Sequence, residues 1–256
     1  MNNQPAALAT EFSEEQYQDA YPDGIENHWW NLTRNRIVLQ AVQKFAGNGA
    51  AVLDVGCGRG FVVNYLRDAG IDCSGVEPAL ARPLHTVQNH IRVGMAPGGL
   101  SLSERMRFDT ILLLDVIEHI PEPTNFLQQL KEDFPCLSQF IVTVPARQEL
   151  WSNYDECYGH CRRYDLEMLQ NTAAAIGTDC VGAGYFFHLS YPLGWAAAHL
   201  LKKRQTTFEV PQGIIARSIH RLMAGLMILD GFLLPGWVPG MSALACFRVK
   251  ERGFGI

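Results

Sequence analysis

The chain has 256 residues, which at roughly 150 residues per domain means one large α/β domain with insertions or two small ones. Apolar residues make up 48% and charged residues only 18%, against about 25% charged in ordinary soluble domains, so intrinsic disorder is excluded. With 21 basic and 26 acidic residues the net charge is −5, and a nucleic-acid partner, which asks for a basic excess or face, is not expected.

No internal repeat or low-complexity run interrupts the sequence. The start, MNNQPAALATEFSEEQ, lacks a basic stretch followed by an apolar one, so no signal peptide is expected. Residues 28–45 read as an amphipathic helix ended by Gly47-Asn48-Gly49. Residues 50–55 form a short apolar strand, followed by a glycine-rich turn, a helix over 61–69 and a second strand over 71–76 that ends at Glu77-Pro78. A helix is expected over 83–89, a weak strand over 91–94 and a strong buried strand over 108–114. A helix over 124–134 and a strand over 139–144 follow. Strands that are continuous apolar runs and alternate with helices indicate a parallel sheet covered on both faces, hence a doubly wound α/β fold. Beyond them come a helix over 165–176, a strand over 180–189, apolar helical stretches near 194–203 and 214–234, and a closing strand over 242–250.

Seven scattered cysteines, an odd number, fit a reducing cytosol better than a disulfide framework. Two apolar segments fall short of a membrane span of about 20 unbroken residues. Residues 181–201 are interrupted by Gly182, Gly184, Pro192 and Gly194, and residues 222–247 carry Asp230, Pro235 and Pro239. Peripheral contact at the inner membrane face, or a greasy acceptor pocket, stays open.

Asp54-Val-Gly56-Cys57-Gly58-Arg-Gly60 sits between the first strand and its helix, where glycines let the backbone close on a ligand at the helix N-terminus. A dinucleotide fingerprint would need its third glycine where Phe61 stands, which disfavours an NAD(P)-dependent oxidoreductase. Glu77, 21 residues past Gly56, suits a ribose diol.

Through these stretches, Val52–Gly60 and Gly75-Val-Glu-Pro78, and through 108–119, Phe-Asp-Thr-Ile-Leu-Leu-Leu-Asp-Val-Ile-Glu-His, the chain resembles the class I S-adenosylmethionine-dependent methyltransferases. The likeness covers about 50–144, with looser agreement toward the C-terminus. It implies a Rossmann-like, doubly wound, mostly parallel seven-stranded sheet with a final antiparallel strand. It implies S-adenosyl-L-methionine as cofactor and S-adenosyl-L-homocysteine as product. By the same resemblance Gly56, Cys57 and Gly58 line the methionine and ribose part, within the loop that Gly60 completes. Asp54 faces the cofactor amino group, Glu77 the ribose hydroxyls and Pro78 the adenine edge, while Asp115 and Val116 lie under the cofactor. The chain departs from the family at Met95, where an acidic or polar residue often stands near the adenine amine. One methyltransferase domain is then expected over 1–256, with an N-terminal helix or lid at 26–46, a cofactor-binding core at 50–190, a helical insertion at 191–241 and the closing strand at 242–250.

Methyl transfer from a sulfonium is an in-line displacement in which positioning supplies much of the acceleration. A hydroxyl or ammonium acceptor also needs a base of near-neutral pKa, most often His. His119, after the fourth strand, and His160, after the fifth, fall at the carboxyl ends where ligands bind, and are the catalytic candidates. Asp115-x-x-Glu118-His119 resembles a stretch of ubiquinone-pathway O-methyltransferases associated with a divalent metal; alternatively Glu118 and His119 cap the next helix, and no metal is expected. Cys157, His160 and Cys161 have no partner pair at zinc-site spacing. Trp151-Ser-Asn-Tyr-Asp155 with Gly159-His-Cys-Arg-Arg-Tyr164 resembles a subgroup of bacterial class I methyltransferases. There Arg162 or Arg163 would clamp an acceptor carboxylate or phosphate beside Tyr164; alternatively Arg163 pairs with Asp155 or Asp165 to hold the loop, with Tyr164 in the core. Trp30, in a run with His28, Trp29, Arg34 and Arg36, is either core or a substrate-contacting lid. His85, His90, His188, His199 and His220 read as structural.

The expected reaction is methylation of a small-molecule acceptor, at an oxygen of an apolar or lipid-like metabolite, in the cytoplasm, by a monomer or homodimer. Nitrogen and carbon acceptors stay open, and a catalytically idle cofactor-binding scaffold is the rival. Nucleic-acid methylation is disfavoured by Asp115-Val-Ile-Glu where an Asn-Pro-Pro-aromatic stretch would stand. The insertion at 191–241 covers an apolar acceptor, docks on a membrane or forms a dimer contact.

Overall fold

Strands that are apolar along their whole length, such as Thr110-Ile-Leu-Leu-Leu114, are stable only where both faces are covered. A computed structural model describes residues 22–47, 49–201, 206–207 and 209–250. The sequence expectations for the first sixteen residues, for Asn48 and for Lys203 fall outside the described residues. Seven strands, β1 (Ala51–Val55), β2 (Asp72–Glu77), β3 (Ile91–Val93), β4 (Thr110–Leu114), β5 (Gln139–Pro145), β6 (Thr178–Phe186) and β7 (Ser242–Val249), make one sheet in the order β3-β2-β1-β4-β5-β7-β6. The first five pair in parallel, and β7 runs antiparallel between β5 and β6. This is the expected doubly wound sheet with its antiparallel closing strand. Strand order reverses between β1 and β4, so a crevice opens beyond their carboxyl ends.

Eight α-helices accompany the strands among the described residues: α1 (Trp29–Ala41), α2 (Phe61–Asp68), α3 (Leu102–Arg105), α4 (Pro123–Asp133), α5 (Asn153–Cys157), α6 (Leu166–Ala175), α7 (Tyr191–Ala196) and α8 (Gly213–Leu233). Alternate β4 residues feed two cores. Ile111 and Leu113 join Leu127 of α4 and Leu169 of α6 on one face. Leu112 and Leu114 join Val38 of α1 and Val63 and Leu66 of α2 on the other. Each such side chain contributes about 1.5–3 kcal/mol by leaving water.

The expected helix over 83–89 does not form. Turns at 85–87 and a 3-10 turn at Gln88–His90 replace it. Pro83 has no N–H to donate, and the Leu84 N–H is taken by the Arg59 carbonyl at 2.9 Å, which ties this stretch to the glycine loop. Strand β6 starts two residues earlier than expected, at Thr178, and stops at Phe186, because Phe187 has φ +63° and turns the chain. There the buried Asp230 carboxylate of α8 accepts the backbone N–H groups of His188 (2.8 Å) and Leu189 (3.3 Å). The acid inside an apolar helix thus anchors α8 to the turn. The same helix packs along α1: the Trp29 N–H donates to His220 Nδ1 (3.1 Å) and the Thr33 hydroxyl reaches the Ala224 carbonyl (3.5 Å). The apolar run after α7 continues as a π turn, Ala197–Leu201.

Candidate active site

Past β1 the chain turns through Gly56, Gly58 and Gly60 at φ of +77°, +56° and +84°, a conformation glycine adopts without a steric penalty. One carboxylate ties this loop to the end of β2: Glu77 accepts the Gly58 N–H at Oε2 (2.8 Å) and the Ala79 N–H at Oε1 (2.9 Å). Burial raises the Glu77 pKa, while the two N–H bonds hold it down. Cys57 packs beneath the loop, where a Cβ on Gly75 would meet its Sγ at 2.5 Å. A Cβ on Gly60 would overlap the Ile91 side chain, so close packing on β3 alone requires that glycine. Pro78 follows Glu77 at the mouth, half-buried.

Asp54 is 2% exposed, and its Oδ1 has no hydrogen-bond partner among the described residues. Burial, moderated by the Arg34 charge and reinforced by Glu77, pushes its pKa up to about 7. A buried acid with an open oxygen beside a glycine turn fits a ligand ammonium, which would supply the missing partner.

At the end of β4, Asp115 adopts φ +57°, a left-handed backbone uncommon outside glycine. Its carboxylate pairs with Arg34 at 2.9 Å. Arg34 also donates to the Leu114 carbonyl (3.1 Å) and stands 5.0 Å over the Trp30 ring. The N-terminal helix is therefore fastened over the end of β4, and Trp30, which also stacks on Phe187 at 6.3 Å, belongs to that cover. Val116 closes the gap to the glycine loop: a Cβ on Gly56 would touch its Cγ2 at 3.0 Å.

Three residues on, Glu118 is fully buried, with neither carboxylate oxygen bonded among the described residues. Burial first, and the Asp115 charge second, raise its pKa well above the ordinary carboxylate range. Burial and the neighbouring His160 lower His119 to about 4, so its imidazole is neutral at pH 7. The His119 and His160 rings meet edge to face with centroids 4.8 Å apart. Ligand atoms of Glu118, His119 and His160 lie within 4.8 Å of one another, a set that could hold a metal ion. The sequence reading had no metal ligands; it saw the first two of these residues and missed that the fold adds the third.

His160 is held from behind. Its Nδ1 lies 2.9 Å from Asp155, which is wholly buried and accepts Arg163 Nε at 2.7 Å and the Ser152 N–H at 2.9 Å. Burial alone would raise the Asp155 pKa; the His160 hydrogen bond and the Arg163 charge outweigh it and hold the group below its ordinary range. An ionised Asp155 assigns the proton to Nδ1 and leaves Nε2 as the acceptor nitrogen.

The structure corrects the expectation that Arg163 clamps an acceptor. Arg163 is 2% exposed and spends its guanidinium on Asp155 and the Ala146 carbonyl (3.1 Å), so it frames the loop. Asp155, not Asp165, is its partner, and Asp165 caps α6 instead. Tyr164 is likewise core, with its hydroxyl on the Ile117 carbonyl (3.3 Å). Arg162 donates to the Pro121 carbonyl (2.7 Å), bracing the segment after β4.

A family model described as "Methyltransferase domain" matches residues 30–182, more than half of the chain. The chain belongs to the class I S-adenosylmethionine-dependent methyltransferase family. S-adenosylmethionine is the cofactor of that family, as the resemblance implied. This methyltransferase is 29% identical over 104 residues to a ubiquinone biosynthesis O-methyltransferase of Bordetella avium (37% of this chain, 43% of that protein). It is 24% identical over 147 residues to the protein of that name from Proteus mirabilis (50% and 60%). The chain thus spans about half the length of the curated relatives it matches. Among solved structures, a S-adenosylmethionine-dependent methyltransferase of Thermotoga maritima superposes with a TM-score of 0.55 at 17% identity, covering 91% of this chain and 99% of that one. The 1,6-didemethyltoxoflavin-N1-methyltransferase of Burkholderia thailandensis, with bound S-adenosylhomocysteine, gives 0.54 at 15% identity (93% and 87%). At such identities the shared property is the fold.

The sequence reading missed Arg34 as the partner of Asp115. The available signal was the Trp30 and Arg34 spacing of four, which puts both on one helix face.

Proposed function

We propose that this methyltransferase moves the methyl group of S-adenosylmethionine to an oxygen of an apolar small-molecule acceptor, in the cytoplasm, with His160 as the base. The observation that carries the reading is the buried Asp155–His160 pair set beside His119, at the carboxyl ends of β4 and β5 next to the glycine loop. The names of the curated relatives support oxygen as the atom methylated. Bound in the loop, the cofactor supplies an electrophilic sulfonium methyl. Asp54 would receive its amino group, Glu77 its ribose hydroxyls, and Gly56, Cys57, Gly58, Pro78, Asp115 and Val116 its outline. Transfer would form the oxygen–methyl bond as the carbon–sulfur bond breaks, with the electrons of the broken bond left on sulfur. The acceptor proton passes to Nε2 of His160, and Asp155 stabilises the imidazolium that results. Trp30 and Arg34 close the site from the N-terminal side.

A second reading rests on Glu118. A neutral His119, the His160 ring against it and a buried carboxylate with no hydrogen-bond partner among the described residues fit a divalent cation, which Glu118, His119 and His160 would hold and which would lend positive charge to an acceptor oxygen.

Labelled cofactor and a host metabolite extract, with the product identified by mass spectrometry, test the reaction. His160→Gln is expected to keep S-adenosylhomocysteine binding by calorimetry and to lose turnover by about 10²–10⁴-fold. Undiminished turnover would remove His160 from the mechanism. Loss of wild-type turnover in a chelator, restored by a divalent ion, would favour the second reading.

A further inference from the structure

Helix α8 buries only Ala224 and Asp230, on the side that meets α1 and the β6 turn. Opposite Ala224, with Asp230 at one edge, Ile215, Ile219, Leu222, Leu226, Leu229 and Leu233 recur at spacings of four and three, which places all six on one face. All are exposed, from 49% at Leu229 to 78% at Ile215. In the flanking segments Leu193, Leu200, Leu201 and Trp237 are also each more than 70% exposed. An apolar surface of this extent marks an interaction site. No helix among the described residues is long and apolar enough to cross a membrane.

Charge identifies the occupant. Positions 191–241 hold five basic and two acidic residues, +3 within a chain of −5, which leaves −8 for all other positions. One of the two acids, Asp230 of α8, is buried against the turn after β6. Arg217 and Arg221 are exposed one helical turn apart, at the edge between the apolar face and the packed side. The four-three spacing also suits a seam between two copies of α8. An isologous pair, however, would set two patches of the same positive sign together with no exposed acid on α8 to answer them. Basic side chains bordering an apolar helix face match a bilayer interface that bears anionic headgroups.

We infer that the exposed face of α8 seats this methyltransferase on an anionic lipid bilayer, with α8 lying in the interface plane. The helix would sink its leucine and isoleucine side chains below the headgroups while Arg217 and Arg221 stay at headgroup level. Docked this way, the N-terminal cover that α8 packs against lies next to the membrane, so a membrane-soluble acceptor would reach the site without crossing water.

Flotation of the full chain with phosphatidylcholine vesicles, with and without phosphatidylglycerol, tests the docking without any turnover. The protein is expected to float with the anionic vesicles and to stay behind with the neutral ones. Arg217→Glu/Arg221→Glu is expected to weaken partition by about tenfold or more, at about fivefold per basic residue and more for a reversed charge. Leu222→Glu/Leu226→Glu is expected to abolish it, and S-adenosylhomocysteine binding in both variants reports an intact fold. Equal partition onto both vesicle types, or none, would overturn the inference. So would a dimer in light scattering that Leu222→Glu dissolves while the protein ignores vesicles, because the face would then be a seam between copies.

Discussion

Asp155 is the residue on which the loop after β5 turns, and its removal has a size that the structure sets. Three groups converge on the carboxylate: the Ser152 N–H at 2.9 Å, His160 Nδ1 at 2.9 Å and Arg163 Nε at 2.7 Å. Asp155→Asn preserves the shape but leaves the Arg163 guanidinium buried with one carbonyl and no counter-charge. Breaking one half of a buried pair costs about 3–5 kcal/mol, a large part of the roughly 5–15 kcal/mol that holds a domain folded. At about 2–4 °C per kcal/mol for a domain of this size, the melting temperature should fall by about 6–20 °C. Urea unfolding followed by far-ultraviolet circular dichroism reads the loss directly, with the slope unchanged if only the native state is affected. Arg163→Met alone should also destabilise, because it leaves the carboxylate unpaired. The double variant Asp155→Asn/Arg163→Met leaves no stranded charge, so its cost should fall short of the sum by more than about 1 kcal/mol. A loss below about 1 kcal/mol in Asp155→Asn, or strict additivity in the cycle, would refute the assignment of Asp155 as the buried counter-ion.

Four other outcomes follow from the cofactor side and its glycine loop. Asp54, raised to about 7 in the folded protein, keeps a proton that the unfolded chain gives up above about pH 4, so it subtracts stability as pH rises through that window. Asp54→Asn should remove this slope, gaining on the wild type between pH 4 and 7 by on the order of 4 kcal/mol, measured by urea unfolding across pH. If Asp54 receives the ligand ammonium, wild-type affinity for S-adenosylhomocysteine should strengthen as pH rises to 7, by up to about tenfold per unit, and a pH-independent affinity would sink that role. Arg34→Met removes the charge that restrains Asp54, so the midpoint of that binding profile should move above 7; an unmoved midpoint would break the link between α1 and the glycine loop. Gly60→Ala forces a Cβ into Ile91 at φ +84° and should cost about 1–3 kcal/mol in denaturant unfolding, whereas a neutral effect would mean that the loop repacks freely.

Much of this was readable from residue order alone. The strands are continuous apolar runs, so hydrophobicity without alternation sufficed for a parallel sheet, and Gly56, Gly58 and Gly60 marked the turn because few other residues tolerate that backbone. The failure at 83–89 came from a local rule that could not see Arg59: once a distant carbonyl takes the Leu84 N–H, helix propensity no longer decides. His119 and His160 were both placed by the rule that ligands gather at carboxyl strand ends, yet their contact was not, because 41 residues separate them and only the β4–β5 pairing closes that distance.

Charge pairing is where sequence order ran out. Arg162 and Arg163 are adjacent and chemically alike, and nothing local says that one is buried on Asp155 while the other braces Pro121 at the surface. Nor could Glu118 be known as a buried acid without a partner among the described residues, since desolvation is a property of surroundings that segments distant in the chain contribute, Arg34 and Arg163 among them. The low charge of the chain has the same division. Composition announced the excess of apolar residues and residue order the stretch at 191–241 that holds many of them, because hydrophobicity is carried by each residue separately. That α8 spends one face on α1 and leaves the other bare was decided by packing, because an unbroken apolar helix has no preferred side until another element covers one.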